Sequence, residues 1–147
     1  MRLADTSAWV WTRTIGGELR ARFDDEVIAG EIATCAMVKL ELLYSARNSG
    51  EFALLMDELD ALPQCQLDAS SWDRALATYG DLAALGGLHQ RSVRHPDLLI
   101  AAAAEANGLA VLHYDEDYER IAAVTAQPVE WLAPRGSLDP SGAADKS

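Results

Sequence analysis

Residues 95–118 read HPDLLIAAAAEANGLAVLHYDEDY, and this run decides the fold. From Asp97 to Asn107 apolar residues occupy nearly every helical face, which predicts a helix buried in the middle of a domain. Pro96 suits its first turn and Gly108 its stop. Leu109 to His113 follows as the clearest strand in the chain, and acids come directly after it. A buried helix feeding a short apolar strand is the repeating unit of an α/β domain with a mainly parallel sheet.

Outward from this unit the same alternation continues. Towards the N-terminus, Arg2 to Ala4 reads as a first strand and Thr6 to Trp11 as a helical start, with Gly16-Gly17 as a break. Glu18 to Ala29 is an amphipathic helix stopped at Gly30, Ile32 to Cys35 a second strand, and Met37 to Arg47 a helix ended by Asn48-Ser49-Gly50. Glu51 to Leu62 is a helix closed by Pro63, and Gln64 to Leu67 a strand. Ser70-Ser71 can cap a long helix to about Leu85, and Gly86-Gly87 opens a polar loop through His95. Beyond the opening unit, Asp115 to Ala123 is a short helix and Val129 to Leu132 the last strand. From Ala133 the chain turns rich in Pro, Gly, Ser and charge, so the reading is one domain over 1–133 and a disordered tail over 134–147.

With 147 residues, half of them hydrophobic, the chain is long enough to bury its own core. No segment is long and apolar enough for a membrane span, and the N-terminus meets a carboxylate at Asp5 rather than a signal-type apolar run, so a cytoplasmic protein is expected. Cys35 and Cys65 have neither disulfide-scaffold nor zinc spacing. A net charge of −11 excludes coating of nucleic acid by bulk electrostatics, but leaves room for a local RNA site and suits a basic partner protein.

Four acidic signatures stand where apolar segments end or helices begin: Asp5 in LADTS, Glu41 in VKLELL, Asp97 in HPDLLI, and Asp115 with Asp117 in HYDEDY. Individually Asp5, Asp97 and Asp115 read as helix caps or first-turn acids. Glu41 shares a helical stripe with Met37, Leu40 and Tyr44, and an acid there needs a partner, either a cation or an arginine such as Arg13 or Arg91. In open α/β sheets the site forms beyond the carboxyl ends of the strands, where Asp5 and Asp115 stand and where Asp97 and Glu41 can converge. Such oxygen donors suit Mg²⁺ or Mn²⁺, and the matching chemistry is phosphodiester hydrolysis by metal-activated water.

In order and spacing these motifs resemble the PIN-domain nucleases, and among them the VapC-type toxins of toxin–antitoxin systems, from about Leu3 to Leu132. The resemblance implies a three-layer α/β/α PIN-like domain with a central, mainly parallel sheet. It implies that Asp5, Glu41, Asp97 and Asp115 are the catalytic acids that bind Mg²⁺ or Mn²⁺, that Asp117 is an additional metal ligand, and that Thr6 or Ser7 orients Asp5 or a metal-bound water. It further implies an endoribonuclease acting on RNA, neutralised by a VapB-type antitoxin, and a homodimer. His113 departs from the Thr or Ser of many relatives, so no hydroxyl acts there, and a strand-end His reads as a packed or surface residue rather than a metal ligand. Arg91, Arg94 and His95 are weaker RNA-contact candidates. A phosphoesterase or DNA nuclease using the same acids, or a non-catalytic interaction module, are the alternatives.

Overall fold

The computed structural model describes residues 1–140. Its five strands, β1 (Arg2–Ala4), β2 (Ile32–Cys35), β3 (Gln64–Cys65), β4 (Ala110–His113) and β5 (Val129–Trp131), form one sheet in the order β3-β2-β1-β4-β5. Every neighbouring pair is parallel, with Leu3 opposite Ala33 on one side and Val111 on the other. The helices are α1 (Thr6–Ile15), α2 (Gly17–Ile28), α3 (Ala36–Leu43), α4 (Ser49–Asp60), α5 (Ala69–Ala84), α6 (His95–Ala106) and α7 (Glu116–Thr125). They cover the sheet on both sides, giving the expected three-layer α/β/α architecture. Parallel strands are connected by crossovers that sheathe both faces, and Leu3, Ile32 and Val111 are accordingly completely buried.

The opening stretch behaves as its pattern predicts. Residues Asp97 to Ala104 of α6 are all buried, the helix packs against α3, α5, α7 and β4, and Gly108 leaves it at a left-handed φ of 65°. Chain order reverses at β1, which is followed in sequence by β2 on one flank but lies beside β4 on the other. That switch point opens a crevice beyond the carboxyl ends of β1 and β4.

Several boundaries differ for local chemical reasons. Asn48 starts a helix rather than ending one, because its side chain accepts the Glu51 amide at 2.9 Å. Asp68, not the Ser70-Ser71 pair, is the N-cap of α5, in a reciprocal capping box with Ser71. The loop after Gly86-Gly87 contains a 3₁₀ turn at His89–Ser92. Of the tail, 134–140 run in turns in which Arg135 pairs with Glu116 and the Leu138 amide donates to Tyr114 Oη at 2.9 Å. Residues 141–147 lie outside the described residues.

Candidate metal centre

Asp5 is the first residue past β1, and its amide donates to the Leu112 carbonyl of β4 at 3.0 Å. Its carboxylate caps α1, accepting the Ala8 amide at 2.9 Å and the Ser7 hydroxyl at 2.7 and 2.8 Å. Ser7 Oγ also accepts the Tyr114 amide at 2.8 Å, so one serine ties Asp5 to the end of β4. Asp5 is 1% exposed, and this burial lifts its pKa to about 6 against the opposing amide and hydroxyl bonds. The cap reading is correct for Asp5, yet capping uses only part of the carboxylate's accepting capacity.

Glu41 reaches in from α3. Thr6 Oγ1 donates to its Oε1 at 2.8 Å, and Arg94 Nη1 stands 3.8 Å from its Oε2. The arginine beside Glu41 is therefore neither Arg13 nor Arg91. Arg13 lies over the Trp9 ring, 4.9 Å from its centroid, and Arg91 is exposed on the 3₁₀ turn. Thr6 and Ser7 divide the work expected of either one, with Ser7 holding Asp5 and Thr6 holding Glu41.

Three carboxylates converge more closely. Asp97, Asp115 and Asp117 each offer an oxygen, and these lie within 4.8 Å of one another. Asp115 is the N-cap of α7, accepting the Asp117 amide at 2.9 Å. Asp117 accepts the Arg94 amide at 3.1 Å and Arg120 Nη1 at 3.0 Å, which joins α7 to the chain entering α6. Asp97 is completely buried, and although it opens α6 its side chain turns inward: Oδ1 accepts Tyr118 Oη at 3.1 Å and Arg94 Nη2 at 3.2 Å. Its Oδ2 is buried without a hydrogen-bond partner. Burial, followed by the adjoining Asp117 carboxyl, drives the Asp97 pKa up to about 8, against the pull of Arg94.

The residues around the acids are as instructive as the acids. Tyr118 is fully buried, which pushes its hydroxyl pKa far up and keeps it a donor to Asp97. His113 is packed between Tyr118 and Trp131, with ring centroids 5.2 and 4.7 Å away, and burial lowers its pKa. Its Nδ1 accepts the Asp115 amide at 3.1 Å, placing the ring proton on Nε2, 3.2 Å from Glu119. A packed histidine thus supplies the acceptor that fixes the turn carrying Asp115. His95 leaves the acidic group and stacks edge-on against Tyr79 at 5.4 Å, whereas Arg94 joins it. Sequence reasoning missed Arg120 and Tyr118. The Asp117–Arg120 spacing of i,i+3 was a readable signal, but the tyrosine had none.

This donor set fits a hard divalent cation. All the converging ligands are carboxylate oxygens, and the unpartnered Asp97 Oδ2 is a buried acceptor that a cation would satisfy. Asp5 and Glu41 stand outside this trio, fixed by hydroxyls of the same α1 turn, with Arg94 placed between Glu41 and Asp97.

Comparison with known proteins gives consistent results. A family described as "PIN domain" matches residues 2–124. Ribonuclease VapC18 of Mycobacterium tuberculosis is 46% identical over 134 residues, covering 91% of this chain and 96% of the relative. Ribonuclease VapC51 of the same organism is 48% identical over 111 residues, covering 76% and 79%. Among solved structures, the DNA-bound VapBC of Salmonella typhimurium superposes with a TM-score of 0.69 at 21% identity, covering 90% of this chain and 100% of that one, a likeness of fold.

Proposed function

The chain belongs to the PIN-domain family, among its VapC-type members, and on that premise we propose a Mg²⁺- or Mn²⁺-dependent endoribonuclease toxin that a VapB-type antitoxin neutralises. The observation that carries the reading is the convergence of Asp97, Asp115 and Asp117 around the buried, unpartnered Asp97 Oδ2. Asp5, Glu41, Asp97 and Asp115 are the proposed ligand quartet and Asp117 a fifth acid, within a nuclease domain spanning 1–133. When bound, the cation supplies Lewis-acid polarisation of the phosphoryl group and acidifies the attacking water.

The chain's own contribution is positioning. Ser7 and Thr6 lock the rotamers of Asp5 and Glu41, and His113 and Arg120 fix Asp115 and Asp117. The Arg94 side chain is 57% exposed, so its guanidinium can turn from the acids towards an RNA phosphate. The ribonuclease names of the relatives support RNA as substrate, and the solved VapBC complexes support an antitoxin partner. Exposed Leu40 and Tyr44 beside Glu41 offer apolar surface to an amphipathic antitoxin segment whose basic side chain would answer the acids. A homodimer acting in the cytoplasm completes the proposal. Among the described residues, no helix is long and apolar enough to cross a membrane.

The test is cleavage of structured RNA and of single-stranded DNA with Mn²⁺ or with chelator. RNA should be cut only with metal, and Asp97→Asn and Asp5→Asn should each lose at least ~100-fold in rate, since even outer-shell changes cost 10–100-fold. Equal cutting of DNA, or full activity of Asp97→Asn, would sink the reading.

A further inference from the structure

Against Asp115 lies a cavity of about 340 Å³ that the metal chemistry does not use. Trp11, Tyr114 and Trp131 line it together with Asp115 itself, Glu116 and Arg135. The aromatic rings already pack on one another, Trp11 to Tyr114 at 5.0 Å and Tyr114 to Trp131 edge-on at 5.5 Å. Trp11 and Trp131 remain only half-buried, so each keeps surface open to the cavity. Two contacts build the outer wall from the C-terminal turns: Arg135 pairs with Glu116, and the Leu138 amide donates to Tyr114 Oη.

We propose that this aromatic cavity is a nucleobase subsite, holding one unpaired base of the RNA next to the phosphate that the acids present. The inference rests on the ribonuclease reading and names how that same site grips its substrate. Three features favour a base over other occupants. Indole and phenol faces stack on any base, and this is the common means of gripping single-stranded RNA. Asp115, Glu116 and Asp139 give the cavity more negative than positive charge, which repels a phosphate but accepts the N–H groups of a base edge. Sharing Asp115 with the metal centre makes the two sites contiguous, so a base seated here belongs to a nucleotide beside the scissile bond.

Tryptophan emission of the full chain during titration with cytidine 5′-monophosphate or ribose 5-phosphate tests this, alongside RNA cleavage kinetics with Mn²⁺. The nucleotide should quench the emission and ribose 5-phosphate should not. Trp11→Ala should weaken nucleotide binding and raise the RNA KM by roughly 5- to 150-fold with kcat little changed, the range of one stacked base. Trp11→Phe should restore most of the loss, which separates stacking from misfolding, and the surface change Arg135→Ala should loosen the wall and raise KM in the same direction. Quenching by ribose 5-phosphate equal to that by the nucleotide, or an unchanged KM in Trp11→Ala, would overturn the subsite while leaving the ribonuclease standing. A dimer that dissociates in Trp11→Ala with nucleotide affinity intact would assign the face to a second copy and overturn it likewise. Failure of the unaltered protein to cut RNA at all would remove the ribonuclease reading and the subsite with it.

Discussion

Asp97 is the side chain on which burial and charge conflict most. It is completely enclosed, faces Asp115 and Asp117, and receives only Tyr118 and Arg94 in compensation. Its pKa of about 8 in the metal-free fold, against an ordinary 3.8, means that the folded chain holds a proton there that the unfolded chain has released. Between those values the native state binds more protons at Asp97, so this contribution to stability falls as pH rises from about 4 to 8, while buried His113, its pKa lowered, opposes it only below its ordinary 6.5. Asp5 acts in the same direction, with its contribution ending near pH 6. Melting of the metal-free protein from pH 6.5 to 8 should show this decline, Asp97→Asn should flatten it, and Mn²⁺ should raise Tm most at the alkaline end, where the carboxylates are free to bind it. A Tm that rises with pH above 6.5 would mean that Asp97 is already ionised in the metal-free fold. The five acids themselves were legible in the sequence, four because they stand at the start of a helix and Glu41 because it shares a helical stripe with apolar residues. Their partners were not, because Tyr118 meets Asp97 and Arg94 meets Glu41 only through the packing of α7, α6 and α3.

Element ends follow the capping rules closely, and the exceptions are informative. Asp5, Asn48, Asp68 and Asp115 each accept an amide in the first turn of the helix they precede. The end of α7 breaks the pattern. Ala126 closes that helix at φ 60°, a left-handed conformation that an alanine adopts at a cost of about 1–2 kcal/mol. Ala126→Gly should relieve most of this strain and, after the added chain entropy of glycine, stabilise the fold by roughly 0.5–1 kcal/mol. Thermal melting should register it as a rise of a few degrees, and a fall in Tm would show that the methyl group packs usefully. No glycine stands at the cap itself, and Pro128 two residues beyond it only bounds the stop, so the helix read to Ala123 runs on to Thr125. By contrast, β1, β2 and the α6–β4 unit were legible almost to the residue, because their apolar runs are bounded by acids, glycines or proline. The shortening of α3 to Leu43 and of β3 to Gln64–Cys65 was hidden, since tertiary hydrogen bonding rather than composition decides where those segments stop.

At the scale of the molecule, sheet order and net charge act together. The reversal at β1 sets Asp5 and Asp115 on adjacent strand ends, which concentrates acid in one crevice of a chain whose overall charge is −11. Such a protein does not hold RNA as a basic nucleic-acid binder does. Arg94 and Arg120 stand at the acids, and Arg91, a candidate contact, is exposed on the 3₁₀ turn. If all three meet phosphate, counterion release predicts a slope of log K against log salt of about −2 for single-stranded RNA, at roughly −0.7 per contact. Binding measured on the cleavage-deficient Asp5→Asn variant, at fixed Mn²⁺ over increasing NaCl, checks this directly. A shallow slope means that the acids, the cation they hold and base stacking do most of the gripping, in which case specificity comes from shape and unpaired bases. A slope steeper than about −4 requires at least about six phosphate contacts, more than these three arginines supply, and would place the extra charge on a second copy or on a surface away from the crevice.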